Sequence, residues 1–188
     1  MSKNDYAIEE MMIDYNVEPS FEVIVASGKN GANPHHASGN NKLKGMTVID
    51  IGVKVKNYCS DMTRTICFGN QKREELHAYH LIKSVQDRCI KMTRSGENFN
   101  VINRYAWNSI GKKMMHNVGH GLGIDVHEAP FVSKEKAKSI LKESNVITIE
   151  PGIYVKNRFG IRIEDDVLVE KNKGRVLSKI GRELLVVT

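Results

Sequence analysis

The sequence has little of what would place it outside the ordinary soluble class. It carries three cysteines, Cys59, Cys67 and Cys89, which form no C-x-x-C pair and no even framework. That excludes a disulfide scaffold and suggests a reducing compartment. Four prolines and the lack of any low-complexity run exclude a Pro-rich or fibrous chain. No apolar run approaches the ~18 residues a membrane span needs. Met1 to Asp14 is polar and acidic, without the apolar stretch of a signal peptide. Acidic residues are the minority, 22 against 28 basic ones, which leaves a net charge of +6. The basic residues are scattered, as at Lys54 and Lys56, Lys72 and Arg73, Lys112 and Lys113, and Lys171 and Lys173. With no aromatic-interleaved basic stripe among them, they read as solvated surface and not as a nucleic-acid face. The expectation is a soluble cytoplasmic protein with neither nucleic acid nor membrane as partner.

What is present is a globular composition, 40% hydrophobic and 27% charged. A chain of 188 residues fits one domain, spanning 1–188. It is long enough to bury roughly two-thirds of its unfolded surface without a covalent staple.

Ile8, Met11, Met12 and Tyr15 fall at i, i+3, i+4 and i+7, which predicts an amphipathic helix over Asn4 to Tyr15. Phe21 to Ala26 reads as a strand, and Ser27 to Gly45 as a loop holding two adjacent histidines. Thr47 to Val55 and Tyr58 to Phe68 read as a hairpin turning at Lys56-Asn57. Two helices follow, Gln71 to Arg94 and Asn98 to Met115, parted by Ser95-Gly96, with Asn98 or Asn100 as N-cap of the second. Ser133 to Ser144 reads as an irregular connection. Short strands are expected at Val146 to Glu150, Gly152 to Val155, Ile161 to Glu170, Val176 to Leu177 and Leu184 to Val187. This order predicts an α+β fold, a mostly antiparallel sheet backed by helices.

The chemistry lies in polar residues set where a core belongs. Asp50 interrupts V-I-D-I-G-V, Glu150 ends V-I-T-I-E, and Glu164 interrupts I-R-I-E-D-D-V. A buried carboxylate without a compensating cation is neutralised or costs several kcal/mol. Arg64 or Arg162 can compensate one each, but not the set. Asp61, on the second hairpin strand, can face Asp50 across the ladder, where cross-strand side chains lie ~5 Å apart. Two dications balance the four carboxylates of Asp50, Asp61, Glu150 and Glu164. One imidazole among those oxygens suits Mn, Co, Fe or Zn.

The motifs carrying these residues occur in a recognisable order: V-I-D-I-G with Asp50, Y-C-S-D-M-T-R-T with Asp61, V-G-H-G-L-G-I-D-V-H-E-A-P with His120, T-I-E-P-G-I-Y with Glu150, and G-I-R-I-E-D-D-V with Glu164. Eleven residues separate Asp50 from Asp61, and fourteen separate Glu150 from Glu164. The series resembles the pita-bread metallopeptidases, the family of methionine aminopeptidases, aminopeptidase P and prolidase. The resemblance runs from about Asp5 onward.

It implies a dinuclear site bridged by Asp61 and Glu164, with Asp50 on one ion and His120 and Glu150 on the other. It also implies a hydroxide held between the ions as nucleophile, with Glu150 as proton shuttle. Three more histidines match family positions: His35 in the first Gly-rich loop, His127 at the peptide carbonyl or developing oxyanion, and His116 as a substrate-binding group. Arg162 is assigned to substrate beside His116. His36, His77 and His80 read as bystanders.

Methionine aminopeptidases tend to carry an aromatic or Gln-rich segment before the last glutamate, then His-Thr. The segment Gly160 to Asp166 looks instead like the proline-directed branch, and S-D-M-T-R-T and H-E-A-P agree. The expected activity is a dipeptidase or aminopeptidase cutting the bond before proline in short peptides. A methionine aminopeptidase and a non-catalytic binding module are the alternatives. Relative to the family the chain is expected to be N-terminally shortened. A missing helix would bare an apolar strip, so either the chain is trimmed or it forms a homodimer that covers the gap.

Overall fold

In the computed structural model, which describes residues 3–37, 40, 42–135 and 139–188, three α-helices and twelve short strands alternate. Helix α1 (Lys3–Asp14) covers most of its predicted range. Its stripe is only partly used, because Met12 is buried while Met11 and Tyr15 are exposed. A two-residue strand β1 (Glu18–Pro19) precedes β2 (Ile24–Ser27), which starts later than the Phe21 expected from composition. The following loop contains a 3₁₀ turn over Gly28–Ala32.

The predicted hairpin is present, but each arm is broken. The first arm is β3 (Gly45–Ile51) and β4 (Val53–Val55), and the second is β5 (Tyr58–Cys59) and β6 (Met62–Phe68). Lys56 and Asn57 turn the chain with φ of 49° and 68°, the left-handed pair that a tight hairpin favours. Asp50 pairs with Thr63, not with Asp61 as the sequence suggested. Asp61 lies in the break before β6, and the register runs on unchanged from Ile51↔Met62 to Lys54↔Cys59.

The second half repeats this construction. Strands β7 (Val146–Ile149) and β8 (Gly152–Val155) return as β9 (Phe159–Arg162) and β10 (Asp165–Val169). The run expected from Ile161 to Glu170 therefore breaks at Ile163-Glu164. Asp165 pairs with Ile149 and Arg162 with Gly152, so Glu150 and Glu164 occupy the same gap in one ribbon. The two short strands β11 (Gly174–Val176) and β12 (Val186–Val187) end the chain. All strand pairs are antiparallel except β12 with β6, in keeping with the expected α+β class.

Helices α2 (Arg73–Met92) and α3 (Phe99–Ile110) back the strands. Asn98 caps α3, its side chain accepting from Asn100 N at 2.9 Å. Tyr79, Ile82 and Val85 of α2 and Phe99 and Ile102 of α3 join Ile147, Ile149, Ile161 and Ile163 in the main core. A smaller cluster of Met12, Val23 and Val25, with Ile49 and Ile51, lies under α1. Along β3 the side chains alternate between the two clusters. Met46 enters the main core, and Asp50, of the same parity, takes that face. The predicted irregular stretch Ser133 to Ser144 carries one bridge, Asn98↔Ile140, while residues 136–138 of it lie outside the described residues. No described helix is long and apolar enough to cross a membrane.

Candidate metal centre

Three of the five proposed ligand residues converge most tightly: Asp61, His120 and Glu164 each offer a ligand atom within 4.8 Å of the others. The elements explain why. Residues 118–122 run alongside β7, with Thr148 N donating to His120 O and Glu150 N to Val118 O, each at 2.8 Å. Gly119 permits that approach, since a Cβ there would collide with the Thr148 carbonyl. The Thr148 hydroxyl accepts from His120 N at 3.1 Å and donates to Glu150 Oε1 at 3.4 Å. His120 Nε2 then stands 3.5 Å from Glu150 Oε1 and 3.6 Å from Asp61 Oδ2.

The His120 ring is oriented by its other nitrogen. Nδ1 lies 3.1 Å from Gly121 O, which only accepts, so Nδ1 carries the proton and Nε2 presents a lone pair. Burial holds this imidazole down to about 4, so it is neutral near pH 7. A lone pair facing two carboxylates is repulsive unless a cation or proton lies between them.

The carboxylates show the same strain. Burial, then the charges of Asp50, Glu150 and Asp166, raise Asp61 to about 9. Burial raises Glu150 to about 8 against the opposing pull of Arg162, and burial with Asp61, Glu150 and Asp50 raises Glu164 well above its usual range. Glu164 Oε2 accepts from the Thr63 hydroxyl at 2.6 Å, and Asp166 Oδ2 accepts from Asp61 N at 3.3 Å. Asp50 Oδ2 takes Arg162 Nη2 at 2.6 Å, whereas its buried Oδ1 has no hydrogen-bond partner. A crowded set of carboxylates with an orphaned oxygen and an imidazole nitrogen turned toward two of them fits divalent cations.

Of the arginines weighed in the sequence, Arg162 does compensate Asp50, while Arg64 pairs with Asp165. Arg162 is 4% exposed, and its other donors go to Thr63 Oγ1 and Tyr154 Oη, both at 3.0 Å, and to Pro34 O at 3.5 Å. These bonds make it a brace for Asp50 and Tyr154. His116 donates from Nδ1 to Asn117 O at 2.8 Å and accepts from Tyr154 Oη at Nε2 at 2.7 Å, completing an Arg162–Tyr154–His116 chain. Tyr154, Thr63 and Thr148 were missed in the sequence. The one available signal was a tyrosine in a buried apolar strand, whose hydroxyl needs a partner.

All five residues open on a cleft of about 610 Å³, also lined by His35, His36, His116, His127 and Arg162. His127 stacks edge-on to His120 with ring centres 4.3 Å apart. His36, read from sequence as a bystander, thus shares the cleft wall with His35. Its position beside a Gly-rich loop gave no sign of which neighbour turns inward. His77 and His80 lie on α2, away from this cleft.

Residues 3–171 match the model of metallopeptidase family M24. The chain is 36% identical over 175 residues to a protein named Xaa-Pro dipeptidase from Pyrococcus furiosus, covering 89% of this chain and 50% of that protein. A crystal structure of recombinant prolidase from Thermococcus sibiricus superposes with a TM-score of 0.91 at 41% identity, covering 97% of this chain and 52% of that one. An X-Pro aminopeptidase from Thermotoga maritima matches with the same TM-score at 34% identity, over 97% of this chain and 53% of that one. The chain therefore spans about half the length of the relatives it matches. The fold is the pita-bread α+β fold of these proteins. The chain belongs to metallopeptidase family M24.

Proposed function

We propose that the chain holds the dinuclear metal centre of a peptidase that cuts the bond before proline, in Xaa-Pro dipeptides or at peptide N-termini. The observation that carries this is the neutral His120 Nε2 facing Asp61 and Glu150 beside an orphaned Asp50 Oδ1. Asp50, Asp61, His120, Glu150 and Glu164 would hold the ions, all five lining one cleft and three of them converging within 4.8 Å. Two divalent ions of the Mn, Co, Fe or Zn class would supply Lewis acidity and an activated water.

The protein's own groups do the rest. Glu150 takes the proton of the attacking water and passes it to the departing nitrogen. His127 donates to the scissile carbonyl oxygen as charge develops there, and His35 lines the same cleft. His116, oriented by Tyr154, lines the cleft as the group assigned to substrate. Phe21, Val23, Ile24 and Val126 give the cleft an apolar wall suited to a side chain of the substrate. Three unpaired thiols favour a reducing, cytoplasmic setting.

A panel of Xaa-Pro dipeptides and tripeptides with added Mn or Co, run beside Glu150→Gln, tests the activity. Xaa-Pro hydrolysis lost in the variant supports it. Preference for Met-Xaa peptides would move the assignment to the methionine aminopeptidases, and no hydrolysis by a metal-loaded chain would favour a binding module.

A further inference from the structure

Glu164 lies in the break between β9 and β10, where no ladder partner holds its peptide groups. Two other groups catch them. Its N–H donates to Thr63 O at 3.1 Å, and its carbonyl accepts from Arg64 Nη1. Arg64, only 9% exposed, spends its remaining donors in the same way. Nη1 also donates to Thr63 O at 2.9 Å, and Nη2 to Asp165 Oδ1 at 2.6 Å.

The last two partners come from far along the chain. Arg64 Nη2 donates to Ile180 O at 2.7 Å and Nε to Gly181 O at 3.0 Å. Residues 178–187 form a strap across the back of the site. Cys67 N donates to Leu185 O at 2.9 Å and Gly69 N to Val187 O at 2.7 Å, tying the strap to β6. Arg182 anchors it on α2, donating from Nη1 to Asp87 Oδ1 at 2.7 Å.

We propose that Arg64 is a positioning residue for the metal ligand Glu164, and that docking of the strap completes its coordination. Four carbonyls and one carboxylate surround one planar guanidinium, a fork that lysine cannot reproduce. Without Ile180 and Gly181, Arg64 would leave buried donors unmet and turn away from Glu164. Because the Thr63 hydroxyl holds Glu164 Oε2 while Arg64 holds the Thr63 and Glu164 carbonyls, both ends of the ligand depend on the same contact.

The inference rests on the metal-centre reading above, and cobalt separates the two. Cobalt titration of the full chain, followed by its visible absorption band, is compared for wild type, Arg64→Lys and Arg182→Gln, alongside the melting of each metal-free protein. Arg64→Lys is expected to bind cobalt about 10- to 100-fold more weakly, with a changed band shape, as loss of a group orienting a ligand does. Arg182→Gln, which loosens the strap and removes a 3.6 Å approach to Asp165, shifts both in the same direction by less. A merely structural role would lower melting while leaving affinity and band shape alike in the folded protein, and that result overturns the proposal. If Arg64→Lys does not fold, Arg182→Gln decides by the same two readings. A wild-type chain that takes up no cobalt overturns both this inference and the metal reading.

Discussion

Arg162 donates to one oxygen of Asp50 at 2.6 Å, and the other oxygen of that carboxylate is buried without a partner. One arginine thus satisfies half of one carboxylate, in a cleft lined by four of them. Burial of the other three raises them toward their neutral forms, which shows how incompletely protein groups alone stabilise the charges.

Removing that arginine leaves Asp50 and Tyr154 without their shared donor. Arg162→Met is expected to destabilise the metal-free protein by about 3–5 kcal/mol, the usual result of breaking a buried pair from one side. Urea unfolding measures it. A loss below about 1 kcal/mol would place Arg162 among the weak surface-type pairs.

The stability of the metal-free protein should fall as pH rises from 7 to 8.5. In this window the unfolded chain has already lost the carboxyl protons of Asp61, Glu150 and Glu164, while the folded chain keeps them up to about 9, about 8 and higher. The folded state binds more protons, so stability decreases with pH. His116 and His120, held near 4 in the folded chain, are still partly protonated in the unfolded one near pH 7. They therefore oppose the slope at the lower edge of this window and not above it. Thermal melting at pH 7 and 8.5 reads this directly. Added Mn or Co should flatten the slope, since a divalent ion replaces the protons.

Substituting a ligand should have opposite effects with and without metal. Glu164→Gln keeps an acceptor for the Thr63 hydroxyl but removes a carboxyl that burial holds neutral. At pH 8 the metal-free variant should melt no lower than wild type, yet lose most of the stabilisation that cobalt gives wild type. A variant that melts several degrees lower without metal would show the charged form to be built into the fold.

Gly160 lies against the backbone of Gly31, where an added Cβ would collide with the Gly31 carbonyl. Gly160→Ala should cost about 1–3 kcal/mol through overpacking. It should also displace the loop carrying His35 and Pro34, raising KM more than it lowers stability-corrected kcat. Steady-state kinetics on an Xaa-Pro dipeptide reads this.

Much of the candidate site was legible because carboxylates in apolar strands violate the hydrophobic pattern, and five ordered motifs singled out residues that the fold gathers on one cleft. The geometry between them was less legible. Sequence continuity suggested unbroken strands over Tyr58 to Phe68 and Ile161 to Glu170, but Asp61 and Glu164 each lie in a gap. Propensity cannot see such a gap, because a broken ribbon keeps its register and its apolar neighbours. Asp50 faces Thr63 instead of Asp61 because the Lys56-Asn57 turn sets one register along the whole hairpin, from Val55↔Tyr58 to Asp50↔Thr63. The bracing chain through Arg162, Tyr154 and His116 was hidden for another reason. It joins residues from three separate segments, and only the packed fold brings their polar ends together. Exposure of Met11 and Tyr15 on α1 was hidden as well, because a 3.6-residue stripe does not say what packs against it.

The central claim is that the buried carboxylates exist to hold two divalent ions. Equilibrium dialysis of the metal-free chain against Mn or Co, with ions per chain counted by elemental analysis, tests it most directly. Two ions per wild-type chain, falling in Asp61→Asn and Glu164→Gln, is the predicted result. A folded wild-type chain that binds none, or variants that bind as wild type does, would contradict it.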